Sequence, residues 1–110
     1  MSATFQLQGQ EFFALNGGPQ FQFSPAISFF VDSRTQEEVD NLWEKLSTGG
    51  NKERCGWLRD KHSLSWQIVP SALGKLMNDP DPRKAGRVMG AMPQTDKIDI
   101  KRLEAAHAAA

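Results

Sequence analysis

The residues best suited to chemistry gather in one stretch, Cys55-Gly-Trp-Leu-Arg-Asp-Lys-His-Ser-Leu-Ser-Trp-Gln-Ile-Val-Pro70. Its second half alternates strictly. Leu64, Trp66 and Ile68 fall on one face and Ser65, Gln67 and Val69 on the other, the period of a half-buried strand. Pro70 closes the run because it has no N–H to give to a ladder. At the centre of the polar face stands Gln67, an amide and not a carboxylate. A second polar-plus-aromatic strand contributes Ser28 and Phe30, and Asn16, Phe21 and Phe23 are expected near the mouth. Together Asn16, Phe21, Phe23, Ser28, Phe30, Ser65 and Gln67 make a candidate face for a small organic ligand. Rings would supply area and the amides and hydroxyls would fix orientation. The competing reading is that the rings simply fill a core, as most Phe and Trp do.

Other chemistries find less support. The only thiol and imidazole groups are Cys55, His62 and His107, and no pair has metal-ligand spacing, so no metal is expected. Cys55 with His62 lacks an orienting third group apart from Asp60, and a lone cysteine beside a strand is more often a small core residue than a nucleophile. Asn16-Gly17-Gly18 has neither phosphate-binding glycine spacing nor a following helix, and reads as a loop. A methyl-donor site of the dinucleotide type needs a glycine-rich loop after a first parallel strand and an acidic residue at the next strand end. Neither is present, and no cofactor is expected. Arg34, Arg54, Arg59 and Lys61 lie near turns and read as a solvated rim.

The elements that position these residues follow from local pattern. Thr4–Gln8 and Glu11–Leu15 form a tight hairpin about a turn placed at Gly9-Gln10. Phe21 and Phe23 lie in an extended segment, and Ala26–Asp32 is a strand with Ile27, Phe29 and Val31 on one face. Thr35 and Glu38 make a capping box ahead of the stripe Val39, Leu42, Trp43, Leu46, and Gly49-Gly50 stops that helix. Asp60–Ser63 turns the hairpin between residues 55 and 70. Short helices follow: one capped by Ser71 and broken at Asp79-Pro80-Asp81-Pro82, one over Arg83–Met92, and one capped by Asp99 with Ile98 and Leu103 as a staple. Ala105–Ala110 is expected to fray.

Composition bounds the rest. The 110 residues suit one small domain, and 13 basic against 13 acidic residues give zero formal net charge. That argues against a nucleic-acid partner, which calls for a basic surface. No apolar run reaches the ~20 residues of a membrane span, and the N-terminus lacks a secretory pattern. One cysteine makes no internal disulfide, so a cytoplasmic location is the default.

Several longer strings point further: A-L-N-G-G-P-Q-F-Q-F (14–23), A-I-S-F-F-V-D (26–32), T-Q-E-E-V-D-N-L-W-E-K-L (35–46), C-G-W-L-R-D-K (55–61), L-S-W-Q-I-V-P (64–70) and D-P-D-P-R-K-A (79–85). Over almost the whole chain they resemble the PhnB-like branch of the vicinal-oxygen-chelate superfamily, whose members commonly carry the name demethylubiquinone methyltransferase. The resemblance implies an α+β, glyoxalase-like fold of βαβββ modules, mainly antiparallel, whose sheets form a cup that often holds a divalent metal. On this reading residues 4–16 are the last hairpin of a first module, 26–70 a second module, and 71–110 a helical tail. Met1 falls where the first module would already be under way, which implies a start site placed late or a cup completed by another polypeptide. Metal-using relatives carry ligands near the positions of Ser28 and Gln67, where this chain has neutral groups. The expectation is a small-molecule-binding, homodimeric protein without metal. The alternatives are an enzyme of the same superfamily (a lyase, isomerase or transferase on an oxygenated or aromatic substrate) and a structural fragment active only when paired.

Overall fold

The computed structural model describes residues 1–109, so the end of the Ala-rich stretch expected to fray, Ala110, lies outside the described residues. The chain opens with a hairpin of β1 (Ser2–Leu7) and β2 (Gln10–Leu15), paired in register from Ser2↔Leu15 to Leu7↔Gln10. The turn is centred one residue earlier than the sequence places it. Gln8 and Gly9 both have positive φ, 51° and 79°, which matches the right-handed twist of a two-residue hairpin connection and leaves Gln10 free to start the second strand.

A second sheet contains β3 (Ser28–Ser33), β4 (Asn51–Lys52), β5 (Trp57–Arg59) and β6 (Ser65–Pro70) in the spatial order β3-β6-β5-β4. β4–β5 and β5–β6 are antiparallel, whereas β3 and β6, the first and last strands of this unit, run parallel from Ser28↔Ser65 to Ser33↔Pro70. Between β3 and β4 lies α1 (Gln36–Ser47). This is the glyoxalase-like βαβββ arrangement. The short strand β4 is an addition to the sequence reading, since two polar residues carry no periodicity. Gly50 leads into it because a Cβ there would lie 2.0 Å from the Arg59 carbonyl oxygen.

The capping box forms as expected. Thr35 Oγ1 accepts from the Glu38 N–H at 3.2 Å, and the Glu38 carboxylate accepts from the Arg34 N–H at 2.8 Å, one residue ahead of the cap. α1 then buries Val39 and Trp43 against Leu58 and Ile68, flanked by Val31, Leu42, Leu46 and Trp66. The sheet face beneath α1 is therefore the apolar one.

The tail holds α2 (Ser71–Met77), α3 (Pro82–Ala91) and α4 (Ile100–Ala108), joined by a 3-10 turn at Met92–Gln94. Val69, Leu73, Val88, Ile98 and Leu103 form a second core. Ile98 and Leu103 are both buried there, as a staple around Asp99 requires. Two expectations fail. Ser71 does not cap α2; its hydroxyl donates instead to Asp32 Oδ1 at 2.9 Å and Ser33 O at 3.3 Å, tying the helix start to β3. Residues 105–108, where fraying is expected, are helical. Arg87 donates to the carbonyls of Ala106 and His107, both at 3.0 Å, which takes two of the C-terminal orphan carbonyls of α4, and His107 Nε2 lies 2.7 Å from Asp79 Oδ2.

The two cores are joined where Cys55 and Gly56 take positive φ, 60° and 82°, which lets their N–H groups donate to Thr95 O at 2.9 Å and Asp96 O at 2.7 Å. A Cβ on Gly56 would lie 2.7 Å from Ile98 Cδ1 and 2.9 Å from Ile68 O. Gly56→Ala therefore combines a left-handed penalty of ~1–2 kcal/mol with a clash against backbone, and urea denaturation should show a loss above about 2 kcal/mol. Gly74→Ala, inside α2 with open space around it, should gain up to about 1 kcal/mol. The Asp79 carboxyl is held below its usual range by the Asp81 N–H and then by His107. A depressed acid stabilises above its unfolded value of about 3.9 and loses that contribution as pH falls through the folded value. Hydrogen-exchange protection of α4 should thus fall off in the acid range below pH ~4, and Asp79→Asn should remove that dependence.

Candidate functional site

The face of the four-stranded sheet opposite α1 is built by alternation. Ser28 and Phe30 of β3, Ser65 and Gln67 of β6, and Trp57 and Arg59 of β5 all point away from the helix, since Phe29, Val31, Leu58, Trp66 and Ile68 take the other face. Register then sorts them into rows. Phe30 lies opposite Gln67, and Gln67 opposite Trp57; Ser28 lies opposite Ser65, and Ser65 opposite Arg59. One amide thus sits between two aromatic residues across three strands.

The amide is fixed. Gln67 Nε2 donates to Ser28 Oγ at 2.9 Å, which leaves the Gln67 carbonyl oxygen as an acceptor. Arg59 donates to Glu53 Oε2 at 2.9 Å, so its charge is already paired at the end of the second row. Ser65 is fully buried, and its hydroxyl has no hydrogen-bond partner. Phe30 is 60% exposed while Gln67 and Trp57 are half-buried.

The seven sequence candidates do not form one site. Ser28, Phe30, Ser65 and Gln67 come together on this face. Phe21 and Phe23 are exposed and line a separate open cleft of about 460 Å³ with Gln22, Lys61, His62 and Ser63. Asn16 stands at the foot of the hairpin, where its N–H donates to Met1 O at 3.0 Å. Loop residues have no periodicity to place them, which is why the sequence grouped them with the wrong neighbours. Trp57 was missed as a face residue, although counting back across the turn at residues 60–64 puts it opposite Gln67.

The chemistry available here is orientation. Ser28 and Gln67 are neutral and bonded to each other. Among the described residues no three of His, Cys, Asp and Glu gather to hold a metal ion. The donor set does not suit a divalent cation held by this chain alone, since hard cations favour charged oxygen ligands. Ser65→Ala removes an unpaired buried hydroxyl, so thermal unfolding should show unchanged or slightly higher stability. A loss above about 1 kcal/mol would mean that the hydroxyl has a stabilising partner.

Comparison with known proteins places this arrangement. The family model for 3-demethylubiquinone-9 3-methyltransferase matches residues 1–69. A solved structure of a PhnB protein from Bacillus cereus, whose description carries the same methyltransferase name, is similar at 34% identity and a TM-score of 0.56. That match covers 64% of this chain and 64% of the other. No curated protein matches. With hairpin, helix and all four sheet strands falling inside the matched region or at its edge, the chain belongs to the 3-demethylubiquinone-9 3-methyltransferase family, in its PhnB-like branch.

Proposed function

We propose that this protein binds a small, uncharged organic molecule on the open face of its four-stranded sheet, as a homodimer within the vicinal-oxygen-chelate superfamily. The observation that carries this reading is the Phe30–Gln67–Trp57 row with its amide fixed by Ser28. An aromatic pair supplies contact area, and an amide held by one of its two N–H groups on Ser28 offers its carbonyl oxygen and second N–H without rearrangement. No metal is invoked, and residues 4–16 are read as the last hairpin of a first module. Among the described residues no helix is long and apolar enough to cross a membrane; the proposed location is the cytoplasm.

The family name points to a methyl donor such as S-adenosylmethionine. The residues that would cradle it in a doubly wound fold do not fit. The connection after β3 runs Ser33-Arg34-Thr35 without glycine, and Thr35 Oγ1 and the Glu38 carboxylate already take the amides at the start of α1. Asp32, the acid at the end of β3, accepts from Ser71. The proposal is therefore binding, not methyl transfer by this chain's own residues.

The test is Gln67→Ala against the unaltered protein in ligand-detected NMR with a set of uncharged aromatic fragments. Fragments should bind the unaltered protein and lose about tenfold in affinity with the variant, the worth of one hydrogen bond, while stability moves by less than about 1 kcal/mol. Equal binding by both proteins, or a large loss of stability, would turn Gln67 into a structural residue and remove the site.

A further inference from the structure

The turn between β5 and β6 is braced by one carboxylate. Asp60 Oδ1 accepts from the His62 N–H at 2.8 Å and the Leu64 N–H at 3.1 Å, and Oδ2 accepts from the Trp66 indole at 2.9 Å. Backbone bonds from Asp60 N to Leu64 O and from Ser63 N to Asp60 O, both at 2.9 Å, close the loop. Both oxygens of Asp60 are thus engaged within the hairpin, and the tip residues Lys61 and His62 start from a fixed backbone.

That tip meets the C-terminal end of α1 across a cleft of about 280 Å³, lined by Lys45, Leu46, Thr48, Asp60, Lys61 and His62. The stem of Lys61 sits close to the end of the helix, since a Cβ on Gly49 would lie 3.2 Å from Lys61 Cβ. Leu46 is half-buried against the core beneath α1 and gives the cleft an apolar floor. No residue here belongs to the Phe30–Gln67–Trp57 row, so the cleft and the row stand or fall separately.

The two lysines differ from the basic residues around them. Lys52 pairs with Glu44, Arg59 with Glu53 and Lys97 with Asp40, each at 2.9 Å. Among the described residues Lys45 and Lys61 have no carboxylate partner. Along α1 the positions three and four away from Lys45 are Asn41, Leu42, Thr48 and Gly49, none of them acidic. A helix C-terminus draws cations to itself. Here that pull is reduced, because two of the four orphan carbonyls are already taken. Glu44 O accepts from the Thr48 hydroxyl at 2.8 Å and the Ser47 hydroxyl at 3.5 Å, and Ser47 O accepts from the Gly50 N–H at 2.8 Å. Two ammonium groups and an imidazole therefore line one small space whose single acid is bonded elsewhere.

The chemistry that such a space accepts is a compact oxyanion. Lysine acts as a point charge and lacks the planar fork by which arginine selects one geometry, so a carboxylate and a phosphate both suit it. The volume equals that of about nine water molecules, at the small end for organic-ligand pockets. A nucleic acid calls for a long basic stripe, which two lysines do not make. We propose that the cleft between the end of α1 and the Asp60-braced turn binds a compact oxyanion, with the Lys45 and Lys61 ammonium groups and the His62 ring as its donors.

The test is an amide NMR titration of the whole isotope-labelled chain with inorganic phosphate, chloride being added to hold ionic strength constant. The Thr48, Lys61 and His62 signals should move together and saturate with a Kd on the order of 1 mM. Lys45→Gln and Lys61→Gln should each weaken binding about three- to fivefold, the worth of one exposed ion pair, and the double variant about tenfold. Lys101→Gln, on α4, should leave it unchanged. Raising ionic strength from ~0.01 M to ~0.1 M should also weaken it, because the screening length falls from ~30 Å to ~10 Å. Urea midpoints of the variants should match that of the unaltered protein, which separates a lost donor from a lost fold. Malonate, titrated in parallel, distinguishes the sources. Saturation by both probes makes charge the requirement, and saturation by one alone assigns the phosphate or the carboxylate. Shifts that grow without saturating for both probes, or binding that survives the double variant intact, would overturn the site.

Discussion

The parallel ladder between β3 and β6 is the constraint on which the rest depends. It joins Ser28–Ser33 to Ser65–Pro70, segments far apart in sequence, and it alone brings Ser28 within hydrogen-bond distance of Gln67. A slip of one residue would turn Gln67 toward α1 and Ile68 toward solvent. What forbids the slip is the packing of Ile68 and Leu58 against Val39 and Trp43, all of them buried. The neutral row on one side of the sheet is thus held in register by the helix on the other.

The tail is attached to this unit through polar joints as well as apolar ones. Gln36, at the first turn of α1, donates to Ile98 O at 3.0 Å and accepts from the Ile100 N–H at 2.8 Å, bridging the βαβββ unit to α4. The same amide donates to Asp40 at 2.9 Å, and with Lys97 at 2.9 Å it holds the Asp40 carboxyl below its usual range. Ile98 is inserted beside Gly56 from this joint. The second core therefore positions the start of β5, and through it Trp57.

Local pattern made much of this legible. Alternation over residues 64–69 assigned both faces of β6, and the Thr35–Glu38 box with the Val39–Leu46 stripe located α1. What periodicity encodes is which way a side chain points, not which strand lies beside it. The partner of β6 on its β3 side, the two-residue β4 and the role of Trp57 were therefore silent until register was known. The tail was misread for a related reason. Its alanines have no face to bury, so their order comes from Arg87 and Asp79, which lie far away in sequence. Asn16, Phe21 and Phe23 sit where neither alternation nor helical spacing applies.

The character of the row limits what it can do by itself. General acid–base work near neutral pH needs a group whose proton comes and goes in that range. An amide and two hydroxyls do not supply one. The titratable neighbours are engaged in structure: Arg59 with Glu53, Asp32 with Ser71, and Asp60 with Trp66, whose indole N–H donates to Oδ2 at 2.9 Å. The row can recognise and orient. Any bond-breaking on a molecule held there would draw its acid, base or electrophile from outside these strands. That requirement, more than the family's name, separates holding a small molecule from transforming it.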